Sequence, residues 1–218
     1  MQLSLPDNSA WTLRDLQILE ALTVKVRMLT VEQIAELWWP SGRYQVTNAR
    51  RRMLRLVRAK LVLRYRINIH PRIPLIAPIA EWKPGDDIPG FAAVSTRLKN
   101  RWTLPAEPTS VFLASRQSAN LFGTFAGPLK DPVQATHDVH LSDIYLWYQR
   151  NKPWFCDSWI GEDALKKAGT GIKDPDAFLV RPDGRVSRVI DFGGKYSAHR
   201  VKEFHDHCAA RSLPYELW

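Results

Sequence analysis

Apolar residues recur with helical spacing through the first part of this 218-residue chain and alternate like a strand immediately afterwards. Thr12 is placed to cap a helix whose stripe is Leu13, Leu16, Leu19 (or Ile18) and Leu22. Thr30 is placed to cap a shorter one, with Val31, Ile34, Ala35 and Trp38 at i, i+3, i+4 and i+7. Pro40-Ser41-Gly42 stops it in a tight turn. A third helix is predicted from about Tyr44 to Lys60, burying Val46, Ala49, Met53, Leu56 and Val57. Leu61 to Ile69 then alternates as a strand, His70-Pro71-Arg72-Ile73-Pro74 reads as a hairpin tip, and a return strand is expected through Leu75 to Trp82.

Further along, residues 83–105 read as a linker that gives way to a short helix through Arg97 and Trp102, and Val111 to Ala114 as a strand. A helix is predicted over Asp138–Gln149, buried through Val139, Leu141, Ile144, Tyr145, Trp147 and Tyr148, with His137 and His140 beside it. Two strands, Asp174 to Val180 and Val186 to Phe192, flank a turn with Asp183-Gly184 at its tip. In a symmetric hairpin about that tip, paired positions sum to 367, so Asp176 faces Asp191 on one side of the sheet. Facing like charges are destabilising, and a divalent cation such as Mg²⁺ is the natural reason for such a pair. A slip of one residue in the turn would remove this geometry.

Charge changes the picture most. The net charge is +9, and it is unevenly placed: residues 1–82 hold thirteen Lys/Arg against six Asp/Glu, residues 83–218 eighteen against sixteen. Between Ser41 and Arg72 there are ten basic residues, nine of them arginine, and no acidic one. Arginine matches phosphates and guanine edges, and the interleaved apolar residues let the charge stand on one folded face. That combination points to double-stranded DNA. Arg51, Arg55 and Arg58 share a face opposite Met53 and Leu56. Arg43, Gln45, Thr47, Asn48 and Arg51 are expected at base edges; Arg55, Arg58, Arg64, Arg66 and Arg72 are expected on phosphates. Arg52 is counted in the same DNA-binding set.

Other classes recede. No apolar run approaches the ~20 residues of a membrane span, and the first residues lack the pattern of a signal peptide, so the expected location is the cytoplasm, with no membrane partner. Cys156 and Cys208 lie too far apart in sequence for a disulfide framework or metal knuckle and are expected as buried thiols. Gly169-Thr170-Gly171 lacks the lysine of a phosphate-binding loop. His205 and His207 point to different sides of a helix and are not expected to share a metal.

The order helix, helix, turn, basic helix and hairpin over residues 11–82 resembles a winged helix-turn-helix, whose third helix enters the major groove. One departure is Lys60 at the helix-to-strand join, where glycine is usual, which predicts a less sharp turn. Pro175-Asp176 and Asp191 resemble the motif of PD-(D/E)XK nucleases. That resemblance implies a metal set of Asp176, Asp191 and Glu162. Gly193 stands where the motif lysine belongs, so Lys195 or Lys202 would have to supply the catalytic cation. The two halves together resemble the replication-relaxation family of plasmids and mobile elements.

The fold class so expected is α+β. A winged helix-turn-helix (1–82) and a connecting segment (83–105) precede a mixed α/β restriction-endonuclease-like domain (106–218). The resemblance implies action on DNA in replication or mobilisation, with Mg²⁺-dependent nicking by an endonuclease as one outcome. The other is a transcriptional regulator or replication initiator whose nuclease-like domain is an inactive interaction platform. A homodimer, or contact with replication or mobilisation proteins, fits either outcome.

Overall fold

The computed structural model describes residues 11–124, 126, 128–129, 134–161 and 175–218. Helix α1 (Leu13–Glu20) starts at Thr12, whose hydroxyl accepts the Asp15 N–H while the Asp15 carboxylate accepts the Thr12 N–H. This reciprocal cap satisfies two otherwise orphaned donors. A π turn (Ala21–Lys25) leads to β1 (Leu29–Thr30), and the same cap, Thr30 with Gln33, starts α2 (Val31–Trp38). Helix α3 (Gln45–Arg58), β2 (Val62–Ile69), β3 (Ala80–Trp82), α4 (Phe91–Asn100), β4 (Glu107–Ala114) and α5 (Arg116–Leu121) follow. The chain continues through α6 (Ala135–Asn151), β5 (Trp159–Gly161), β6 (Ala177–Val180), β7 (Val186–Asp191), α7 (Ala198–Ala209) and β8 (Tyr215–Leu217).

The described residues form a mixed α+β protein with two sheets. One has the order β1-β4-β2, antiparallel throughout. The other has the order β3-β8-β7-β6-β5, with only the β7–β8 pair parallel. The strand beside β2 is therefore β4 and not the expected segment from Leu75 to Trp82, whose last three residues pair with β8 instead. Pro71, Pro74 and Pro78 explain the difference, because a residue without an N–H cannot extend a ladder.

Two further expectations are corrected in part by burial. Of the stripe predicted for the first helix, Leu19, Ile18 and Leu22 are buried as expected, whereas Leu13 and Leu16 are exposed and Asp15 is buried in their stead. In α3, Val46 is exposed, while Ala49, Met53 and Leu56 form the buried stripe. The join after α3 is as tight as a glycine turn, since Lys60 itself takes a left-handed conformation with φ of 59°.

Helix α6 organises the core. Eleven of its seventeen residues are buried, on all sides, as a helix lying between two sheets requires. Ala135 and Val139 pack with Met28, Ile69, Val111 and Leu113 of the first sheet and its approaches. Ile144, Tyr145 and Tyr148 join the core that holds Trp159, Ala177, Ile190 and Phe192 of the second. Helices α4 and α7 cover the other face of that sheet, around Leu98, Val189, Val201, Cys208 and Leu217. Polar ties bind α6 to α2: the Gln33 amide donates to Val139 O and the Asp143 carboxylate, and Arg72 bridges Asp143 and Glu36. No helix of the described residues is long and apolar enough to cross a membrane.

Candidate nucleic-acid interface

The buried stripe of α3 fixes which side chains face outward. Thr47, Asn48, Arg50, Arg51, Arg55 and Arg58 are exposed, and Thr47, Arg51 and Arg58 follow one another at helical spacing along that side. Arg43 is exposed just before the helix, near the ring of Tyr44, and Gln45 is half-buried. Among the described residues, no carboxylate pairs with Arg43, Arg50, Arg51, Arg55 or Arg58. The region's ion pairs go to Arg52 and Arg72.

The sheet carries the charge further. Val62 of β2, with Phe112 and Ala114 of β4, packs into the core shared with α3, whereas Tyr65, Ile67 and Ile69 face α6. Strand alternation then puts Arg64 and Arg66 on the α3 side, where both are exposed. Arg64 donates to the Ser110 hydroxyl at 3.1 Å across the strand pair. Arg64 and Arg66 thus project from the same face of the first sheet on which α3 packs.

Arg52 does not belong to this surface. Its guanidinium grips the carboxylate of fully buried Asp15 through two nitrogens. Burial alone would raise the Asp15 carboxyl, but the hydrogen bonds from Arg52 and Thr12 outweigh it and hold it below the ordinary carboxylate range. The helix spacing carried the signal: Arg52 lies three residues after Ala49 and four before Leu56, both core positions. Arg72 is likewise taken, by Glu36 and Asp143.

The aspartate pair of the second sheet has a different character. Ala177 pairs with Ile190 and Phe178 with Val189, the register that sums to 367, and it slips only at Val180, which pairs with Val186. Asp176 precedes β6 in a bend, and its carboxylate turns to α6. There it accepts the Phe192 N–H at 2.7 Å and His137 Nε2–H at 3.0 Å. Asp191 is fully buried on the α7 side, accepts the Tyr196 hydroxyl at 3.0 Å, and lies near Cys208. Burial, with that carboxylate adding to it, pushes the Cys208 thiol up to about 12.

The described members of the expected metal set, Asp176 and Asp191, do not converge on a Mg²⁺ site. The two carboxylates turn to opposite sides of the sheet, and each is engaged by protein donors. A Cβ at Gly193 would lie 2.9–3.0 Å from methyl groups of Leu98 and Leu217, so core side chains fill the space a motif lysine would need. Lys195 lies over the Trp102 ring and Lys202 pairs with Asp206 on the exposed side of α7. Glu162 lies outside the described residues, and the described ones contain no cluster of three His, Cys, Asp or Glu side chains suited to a metal.

Comparisons with known protein families, curated proteins and solved structures return no match. The functional residues that sequence reasoning missed are Asp15, which removes Arg52 from the surface, and His137, which holds Asp176. The Thr12-x-x-Asp15 spacing is one that could have marked Asp15 as a capping residue, but nothing local marks it as the partner of Arg52, thirty-seven positions away.

Proposed function

We propose that this protein binds double-stranded DNA through α3, in the manner of a winged helix-turn-helix. The early residues of α3 read base edges in the major groove, and Arg55, Arg58, Arg64 and Arg66 hold the flanking phosphates. One observation carries the reading: the exposed side of α3 and the same side of β2 present arginines with no carboxylate among the described residues to neutralise them. A merely solvated helix mixes both signs of charge. The strand pair β2–β4 supplies the wing.

The second sheet, with α6 as the shared spine, acts as the platform on which this module is mounted. The replication or mobilisation setting implied by the resemblance suits such a protein, and so does transcriptional regulation. In both, the second part serves contacts with other proteins or a second copy of the chain.

Fluorescence anisotropy with a labelled mixed-sequence duplex tests the reading. Wild type should bind with an affinity that falls steeply with salt, a single-stranded competitor should displace the duplex poorly, and an Arg51→Ala/Arg55→Ala double variant should lose most of the binding. Equal binding by wild type and double variant would remove α3 as the interface.

A further inference from the structure

Lys60 occupies the one position after α3 where a side chain is least welcome. Its N–H donates to Val57 O at 2.9 Å, and the N–H of Leu61 donates to Leu56 O at 3.0 Å. These are the two bonds of a Schellman ending, whose left-handed residue is usually glycine. With φ of 59°, Lys60 carries its Cβ in a conformation that is unfavourable for an L-residue. The turn is held from outside. Leu61 is almost fully buried, and its carbonyl accepts both the Ser115 N–H and the Ser118 hydroxyl at the start of α5. A strained conformation persists where its surroundings over-determine it in this way.

Nothing in the fold needs a lysine here. The side chain is exposed, and no carboxylate among the described residues pairs with it. It stands between exposed Arg58 and the strand that carries Arg64 and Arg66, at the corner where the helix surface meets the wing surface. We propose that Lys60 is a DNA-phosphate contact, its ammonium aimed by the left-handed turn at the backbone between the segments gripped by α3 and by β2. The protein thereby keeps a strained lysine where glycine would fold better. This rests on the DNA-binding reading above. It competes with one other explanation, that a cation beside the carbonyl end of α3 stabilises the helix electrostatically, which leaves DNA affinity untouched.

The test uses the full chain, with Lys60→Gly, Lys60→Gln and Lys60→Arg compared in thermal melts and in anisotropy titrations of a labelled mixed-sequence duplex. Lys60→Gly should melt above wild type, because the strain is gone; Lys60→Gln keeps the strain and should melt close to wild type. Both should bind more weakly, with a salt slope shallower by about 0.9, so that their deficit shrinks roughly three- to four-fold between about 50 and 200 mM salt. Lys60→Arg should match wild type in both measurements. Wild-type affinity and slope in the Gly and Gln variants overturn the proposal, as does a Gly variant that melts lower. Wild type that shows no affinity for the duplex overturns the DNA-binding reading itself, and the role of Lys60 with it.

Discussion

Arg52, in the middle of an otherwise outward-facing run of arginines, is folded back onto Asp15, and the pair joins the third helix to the cap of the first. Asp15 is fully buried and the Arg52 side chain is only a fifth exposed. Each residue therefore depends on the other. Asp15 satisfies the Thr12 N–H as well, so one carboxylate closes a helix end and neutralises a cation at the same time.

Arg52→Ala should cost about 3 kcal/mol, the lower end of the range for breaking a buried pair, since Arg52 keeps some contact with water. Urea unfolding would measure it. Because folding lowers the Asp15 pKa, its contribution is present above the unfolded carboxylate value and is lost as the pH falls through the lower, folded value. Acid should therefore destabilise wild type more steeply than Asp15→Asn. A wild-type-like Tm for Arg52→Ala would show that the pair does not hold the two helices.

The surface arginines should behave in the opposite way. Arg51→Ala should leave the Tm within about 1 °C, as expected of an exposed site, and cost about 1–3 kcal/mol of binding to a preferred sequence. Arg58→Ala and Arg66→Ala should weaken binding to all duplexes alike and reduce the salt slope by about one each. Paired melts and salt titrations of these variants beside Arg52→Ala separate surface from scaffold.

What was legible in the chain was what local chemistry determines. Thr12 and Thr30 marked helix starts ahead of their apolar stripes, and Asp183-Gly184 set the register of β6 and β7 through three of its four pairs. What depended on distant partners was not legible. Strand β2 pairs with a segment that begins at Glu107, after an excursion that sends Ala80–Trp82 into the other sheet. In α1 the buried Asp15 is held by Arg52, thirty-seven residues on, and Asp176 turns towards α6 from a bend that takes it out of strand alternation. The misses combine distant partners with local breaks, the prolines after β2 and the bend at Asp176, that interrupt a simple alternation.

The first part of the chain is docked on the second sheet by a close backbone approach. Lys25 Nζ donates to the carbonyls of Cys156, Asp157 and Trp159, and the Trp159 indole donates back to Lys25 O. Gly161 makes room for this, since a Cβ there would lie 2.4 Å from Lys25 O. Gly161→Ala should cost about 1–3 kcal/mol through displacement of that carbonyl, seen as a Tm lower by about 2–4 °C per kcal/mol for a chain of this size. An unchanged Tm would mean that the approach is looser than described.

His137 supplies a pH signature of its own. Burial alone would lower the imidazole pKa, but Asp176 and Asp138 beside it outweigh burial and push it up to about 10. A raised folded pKa stabilises fully below the unfolded value near 6.5 and loses that stabilisation as the pH climbs through about 10. Wild type should lose stability across that window. Asp176→Asn keeps an acceptor for the Phe192 N–H but removes the charge, so it should be less stable at neutral pH and flatter across the window. An NMR titration of the His137 ring that ends near 6.5 in wild type would contradict the ion pair.

The placement of the same two aspartates bears on the expectation of metal-dependent nicking. A cation bound between Asp176 and Asp191 would need both carboxylates on one side of the sheet. Asp176 would have to give up His137 and Phe192, and Asp191 would have to leave the fully buried place under α7 where Tyr196 donates to it. Desolvated charges leave such partners only at a cost of several kcal/mol. Supercoiled plasmid incubated with the protein and Mg²⁺ or Mn²⁺ should therefore stay supercoiled while being bound, and EDTA should leave binding unchanged. Open-circle or linear product from wild type, abolished by EDTA and in both Asp176→Ala and Asp191→Ala, would instead establish nuclease activity and require the sheet to rearrange around the metal.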